Sequence, residues 1–240
     1  MSSVPAAADR IDQVGLDTGT MRLHVWVPDA GHGPGIVLIS EIFGVNGYID
    51  SVARRLTALG YVVGAPELFW RVAPAGWIGD RSEAGLKEAL GFVGQLDLGR
   101  AIADSVAALD HLAAIDEVDG TPGVLGFCMG GAVAWLVAAD AAPSVAVGYY
   151  GSRITGAVDR ATDISCPVLL HFGATDGSTP PEAIEQVRAS LAGHGSARVE
   201  VHEAGHAFDN PDAPGMYDAA VSATAWDKTA AFLAEHLPVS

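Results

Sequence analysis

Short continuous apolar runs alternate with amphipathic stretches down the whole chain. Residues 35–40 (GIVLIS), 61–65, 124–127, 145–150 and 168–172 have the unbroken apolar character of strands buried on both faces. Residues 21–27 alternate like an exposed strand, and 199–202 reads as a last short one. Between them, residues 49–59, 97–115, 130–139, 181–191 and 216–237 carry helical spacing, with Gly60 placed as a C-cap. Strand and helix repeated in this way predict an α/β fold, a mostly parallel sheet with helices on both faces, in one domain spanning residues 1–240. Residues 69–79, rich in Trp, Pro and Gly, break the rhythm and are expected to loop over a pocket.

Composition narrows the function classes. Half of the 240 residues are hydrophobic and 18% are charged, so the chain can bury a sizeable core and is not disordered. Lys plus Arg number 13 against 29 for Asp plus Glu, a net charge of −16. Such a surface is repelled by nucleic acid and by anionic membranes, and both are poor partners. No apolar run approaches the ~18 residues of a membrane span. Residues 1–14 carry Asp9, Arg10 and Asp12 and lack the apolar core of a leader, which predicts a cytoplasmic protein. The two cysteines, Cys128 and Cys166, need not be bridged in such a chain and are read separately.

The sharpest local feature is Gly126-Phe127-Cys128-Met129-Gly130-Gly131, between a short strand and a helix of small residues. A G-x-nucleophile-x-G step at that junction makes a nucleophile elbow: the glycines permit a tight turn and the central residue is held at the sheet top. A thiol there faces a helix N-terminus, which favours the thiolate. The bland reading is a buried Cys in a Gly-rich turn. Downstream, Asp176 ends the strand-to-turn segment 171–176 and His206 follows the last strand. In α/β-hydrolases acid and base follow the nucleophile in that order, and a His oriented by a carboxylate is what a thiol nucleophile needs. Asp176 could instead be a turn-former and His206 a loop histidine, but their joint placement after the elbow favours chemistry. The same fold draws oxyanion donors from the loop after the first buried strand and from the residue after the nucleophile. These are the main-chain N–H groups of Ile42 and Met129. Glu41 is then expected beside the cysteine, or else to be a capping or ion-paired carboxylate, with Arg71 or Arg81 as partner.

A rival reading comes from His202-Glu203-Ala204-Gly205-His206, which matches the H-E-x-x-H zinc peptidase signature. That chemistry needs both histidines on one face of a helix. Here residues 197–201 alternate like a strand, Gly205 interrupts the motif, and residues 208–214 cannot continue a helix. The other histidines (His24, His32, His111, His194 and His236) read as surface or packing residues, and Cys166 as a small buried hydrophobe.

Several segments together make the sequence resemble the dienelactone hydrolase (carboxymethylenebutenolidase) family: residues 41–46 (EIFGVN), 66–71 (PELFWR), the elbow 126–131, 148–151 (GYYG), 171–176 (HFGATD) and 205–208 (GHAF). The resemblance implies a Cys128–His206–Asp176 triad. It implies that Glu41 holds the resting cysteine as a thiol and accepts its proton when substrate binds, and that Phe43 and Tyr150 line the pocket. The family's arginines for a substrate carboxylate fall, without gaps, at Leu86 and Asn210, which carry no charge. The expected function is thus cofactor-free hydrolysis of a small ester or lactone through a covalent acyl-Cys128, with no metal, by a monomer or small homo-oligomer. The alternatives are a zinc peptidase and a catalytically silent hydrolase fold that binds a ligand.

Overall fold

The computed structural model describes residues 5–239. Residues 1–4, the start of the segment read above for a leader, and residue 240 lie outside the described residues. Two compact units emerge: one runs to Gly123 and includes Val239, and the other is Val124–Pro238.

In the first unit the strands are β1 (Arg10–Leu16), β2 (Gly19–Trp26), β3 (Gly35–Ile39) and β4 (Val62–Pro66), in the order β1-β2-β4-β3. β1 and β4 pair antiparallel with β2, and β3 pairs parallel with β4. β3 and β4 are buried along their whole length, as continuous apolar runs require. β2 departs from the exposed strand expected for residues 21–27. Lying between two partners, it buries His24 and Trp26 as well as Met21, Leu23 and Val25. Each has a polar partner: His24 Nε2 is 2.7 Å from Glu67 Oε1, and Trp26 Nε1 donates to Asp50.

Helix α1 (Gly47–Ala58) starts where the Asn46 side chain accepts the N–H of Ile49, a cap worth about 1 kcal/mol. It stops where Gly60, at φ +96°, lets its own N–H reach Thr57 O and that of Tyr61 reach Leu56 O. Helices α2 (Glu83–Gln95) and α3 (Leu98–Ala113) complete the unit, with Asp97 capping α3 rather than opening it. Neither β1 nor α2 was expected. β1 buries only Val14, and α2 contains Gly85, Gly91 and Gly94 and buries only Ala89, so neither has an apolar period to read.

The second unit holds β5 (Gly123–Phe127), β6 (Ala146–Tyr149), β7 (Val168–Gly173) and β8 (Ala197–His202), all parallel in that order. Helix α4 (Met129–Ala141) buries every residue from Met129 to Ala138. A Cβ on its Gly131 would lie 2.7 Å from Tyr149 O, so small residues are what let helix and strand approach. An unexpected, kinked 3₁₀ segment (Ser152–Asp163) follows β6, then α5 (Pro181–Ser190) and α6 (Ala219–His236). α6 begins at 219 rather than the expected 216, because Asp218 accepts the N–H groups of Ala220 and Val221. Among the described residues, no helix is long and apolar enough to cross a membrane.

Candidate active site

Cys128 joins β5 to α4 with φ 54° and ψ −117°, a conformation that costs a non-glycine residue about 1–3 kcal/mol. The surroundings leave it no alternative. Its N–H donates to Tyr149 O at 3.0 Å, and its carbonyl accepts the N–H groups of Gly131 and Ala132. A Cβ on Gly126 would collide with the Gly130 carbonyl, which explains the first glycine of the motif. The thiol itself is half-buried, and both cysteines are free.

Asp176 and His206 occupy the loops that follow β7 and β8. His206 Nε2 lies 3.1 Å from Cys128 Sγ, and His206 Nδ1 lies 2.7 Å from Asp176 Oδ2. The two loops are stitched together: Thr175 N–H donates to Ala204 O, and Ala174 N–H to His202 O. Gly173 is required between them, since a Cβ there would sit 2.5 Å from the carbonyls of both Ala204 and Gly205. Burial opposes charge on both groups, but the contacts outweigh it. Bonds to Asp176 and Cys128 raise the His206 pKa above its ordinary range, and bonds from His206 and Ser178 hold the Asp176 carboxyl below its own. The arrangement can therefore carry a proton between sulfur and imidazole while the carboxylate keeps the ring oriented.

Ser178 escaped the sequence reading. Its N–H and hydroxyl both donate to Asp176 Oδ1, at 2.8 and 2.6 Å, leaving Oδ2 for the imidazole. The signal was present as an Asp-Gly-Ser turn, in which an Asp side chain commonly accepts from the residue two positions on. Tyr150 is fully buried with its ring 5.1 Å from that of His206, and Met129 is buried at the first turn of α4.

In the first unit, Glu41, Ile42 and Phe43 follow β3. Glu41 is buried and Ile42 partly so. Of the two arginines weighed as its partner, Arg81 is the one: its guanidinium is 2.6 Å from Glu41 Oε2 and 4.7 Å above the Phe43 ring. Arg71 instead pairs with Asp104 and Asp17 and stacks on Trp70. The strap of residues 70–81 that carries Arg81 is tied down by Glu67, whose carboxylate accepts the Gly76 N–H at 2.9 Å and also meets Arg22 and His24. A void of about 10 Å³, room for one water at most, lies against Trp70, Ala73, Pro74 and Trp77 of the strap, and a larger cavity of about 150 Å³ lies against its Arg71 and Val72. Leu86 is exposed on α2, while Asn210 is buried and caps a turn through the Asp212 N–H.

The H-E-x-x-H segment is the end of β8 and a loop, not a helix. Its histidines serve different partners: His202 Nε2 meets His171 Nδ1 at 3.0 Å, and His206 meets Asp176 and Cys128. Among the described residues no three His, Cys, Asp or Glu side chains are grouped to hold a metal ion.

Residues 21–237 match the model of the dienelactone hydrolase family. A carboxymethylenebutenolidase from Pseudomonas sp. (strain P51) is 31% identical over 196 residues, 82% of either chain. One from Pseudomonas putida is 30% identical over 219 residues, 91% of this chain and 92% of the relative. Among solved structures, a candidate dienelactone hydrolase from Klebsiella pneumoniae superposes with a TM-score of 0.80 at 28% identity, covering 94% of this chain and 98% of that one. A dienelactone hydrolase-like promiscuous phosphotriesterase, P91, gives 0.79 at 25% identity over 96% and 98%.

Proposed function

The chain belongs to the dienelactone hydrolase family and has its α/β-hydrolase fold, and from that premise we propose that it cleaves a neutral, partly apolar ester or lactone through a covalent acyl-Cys128 intermediate. The observation that carries this reading is the pair of contacts at His206, 3.1 Å to Cys128 Sγ and 2.7 Å to Asp176. In the proposed cycle His206 takes the thiol proton as sulfur attacks the carbonyl carbon. The main-chain N–H groups of Ile42 and Met129 receive the developing oxyanion. Collapse expels the alkoxide, which takes the proton from His206. Water then gives a proton to His206 and attacks the thioester, and acid and Cys128 are released. Asp176 orients the ring throughout, and Phe43 and Tyr150 line the substrate.

Glu41 takes the family glutamate's role: it restrains the resting thiol and, when substrate binds, accepts its single proton and passes it to His206, so that the cycle above moves one proton. The preference for a neutral substrate is supported by the arginines. Arg71 and Arg81 each already face a carboxylate, and Leu86 and Asn210 add no cation. A substrate carboxylate would lose its hydration without gaining a partner. The family match crosses both compact units, which supports treating residues 1–240 as one working domain. The reading includes no cofactor, a cytoplasmic site, and a monomer or small homo-oligomer.

Two measurements test it. Intact-mass spectrometry during turnover of activated esters should show an acyl adduct that maps to Cys128, and hydrolysis with no such adduct would overturn the covalent route. The kcat/KM of a carboxylate-bearing lactone should fall below that of its methyl ester. The reverse order would return the activity to dienelactone proper.

A further inference from the structure

Behind the Asp176 and His206 loops lies a polar row that the proposed cycle does not use. His171 on β7 is fully buried, and His202 on β8 nearly so. Their rings meet through His171 Nδ1 and His202 Nε2 at 3.0 Å. On its other side His171 Nε2 is 3.1 Å from Thr229 Oγ1 of α6, which is 2.6 Å from the Tyr149 hydroxyl of β6. The strand register places Tyr149, His171 and Glu200 side by side, with His202 two residues beyond Glu200, so all four share one face of the sheet.

From these contacts we infer that His171 and His202 are positioning residues for the acid–base pair, holding the Asp176 and His206 loops in register through a neutral imidazole pair that shares one proton. The bond between the two rings needs one N–H and one lone pair, which two neutral rings supply and two charged rings cannot. The pair sits where the two loops diverge. The His202 carbonyl accepts the N–H of Ala174, two residues before Asp176, and that of Ala204, two residues before His206, both at 2.7 Å. A shift of the His202 ring is thus passed to both loops through one carbonyl. His202 also packs against Phe208 at a ring distance of 5.3 Å, and Phe208 packs on Tyr150, the neighbour of His206.

Charge is disfavoured in this row. Burial lowers the pKa of both imidazoles, that of His171 well below 6.5, and each is lowered further by the Lys228 ammonium. The titratable and charged groups around the pair are Tyr149 from β6, Glu200 from β8 and Lys228 from α6, with Tyr150, which follows β6, and the His206–Asp176 pair reached through Phe208. Of these Glu200 alone favours a charged His202, and it is ion-paired with Lys228. Protonation at acid pH puts an imidazolium into the row and loosens the loops it supports.

The test is a pH series on the full chain with two readouts. The first is nitrogen NMR of histidine-labelled protein, reading the two rings and the proton between His206 Nδ1 and Asp176. Both rings should stay neutral at pH 7, His171 to lower pH than His202, and the His206–Asp176 proton signal should be lost as they titrate. A His171 or His202 ring charged at pH 7 would overturn the inference. The second compares His202→Gln, whose amide reaches the Nε2 position without titrating, with His202→Ala. The glutamine variant should keep kcat within about threefold at neutral pH and carry the acid limb to lower pH, while the alanine variant loses roughly tenfold in kcat with little change in KM. An acid limb identical in wild type and His202→Gln would also overturn it. The inference rests on the proposed triad for its kinetic arm only. The NMR arm reads the loops directly, so a failed ester screen and a failed positioning role are distinguishable.

Discussion

The turn that carries Cys128 is held by main-chain geometry, whereas the strap that carries Arg81 is held chiefly by side-chain charge, with a main-chain bond from Gly79 N–H to Phe43 O. Around Cys128, donors and acceptors are backbone groups, and glycines stand where a Cβ would strike a carbonyl. The strap of residues 70–81 hangs on Glu67, which gathers the Gly76 N–H, Arg22 and His24, and ends in the Arg81–Glu41 pair. Main-chain fixation tolerates almost no change of shape but is indifferent to pH. Charge fixation tolerates small shape changes but depends on the protonation of a few carboxylates. The nucleophile proposed for Cys128, which must meet a carbonyl carbon at a set angle, gains from the first kind. An arginine that neutralises a neighbouring carboxylate needs only the second.

The largest expected effect separates the thiol from its scaffold. Cys128→Ala should remove turnover, a loss of roughly 10³-fold or more, while thermal unfolding stays close to wild type. Cys166→Ala should leave the rate alone, because that thiol is buried with its pKa raised to about 11 by burial. Comparable losses in the two variants would mean that the nucleophile has been misassigned.

The next pair sets the two modes of fixation against each other. Gly126→Ala forces a methyl group into the Gly130 carbonyl and should cost about 2–4 kcal/mol in denaturant unfolding. Gly76→Ala meets only the flexible end of Arg22, at 2.7 Å, and pays chiefly for its positive φ of +73°, about 1–2 kcal/mol. Equal costs would erase the distinction.

Glu67→Gln should remove about 1–3 kcal/mol and expose the strap to trypsin at Arg71 and Arg81. Burial opposes charge on Glu67, but bonds from His24 and Gly76, with the charge of Arg22, hold its carboxyl below the ordinary 4.5. Its contribution is therefore complete above about pH 4.5 and is lost as pH falls through the lower folded value. The wild-type strap should open in acid, and the glutamine variant should lack that component. A strap equally resistant to trypsin in both proteins at pH 7 would show that Glu67 is not its anchor.

The smallest effect concerns the end of the strap. Glu41→Gln removes the carboxylate paired with Arg81, and it should speed alkylation of Cys128 by a few-fold while slowing hydrolysis. Unchanged thiol reactivity would argue against the proton-accepting role of Glu41.

Local pattern alone determined the buried strands β3, β5 and β7, because four to six consecutive apolar residues suit a strand covered on both faces and little else. It also located the elbow, whose glycine spacing states a steric need, and it told H-E-x-x-H apart from a helical zinc motif by the alternation before it. Tertiary structure decided the rest, for identifiable reasons. β1 is a strand because β2 offers it a partner, not because its own pattern of one buried valine demands it. β2 buries His24 where Glu67, brought beside it by β4, bonds its Nε2. Arg81 rather than Arg71 meets Glu41, although both lie on the same irregular stretch, because Asp104 on α3 captures Arg71. His171 and His202 stand 31 positions apart, and nothing local marks them as neighbours until the parallel register of β7 and β8 sets them on one face. Periodicity and glycine placement are properties of adjacent residues and can be read along the chain. The choice among like-charged or like-shaped partners is a property of distance in the folded protein, and only the packed strands supply it.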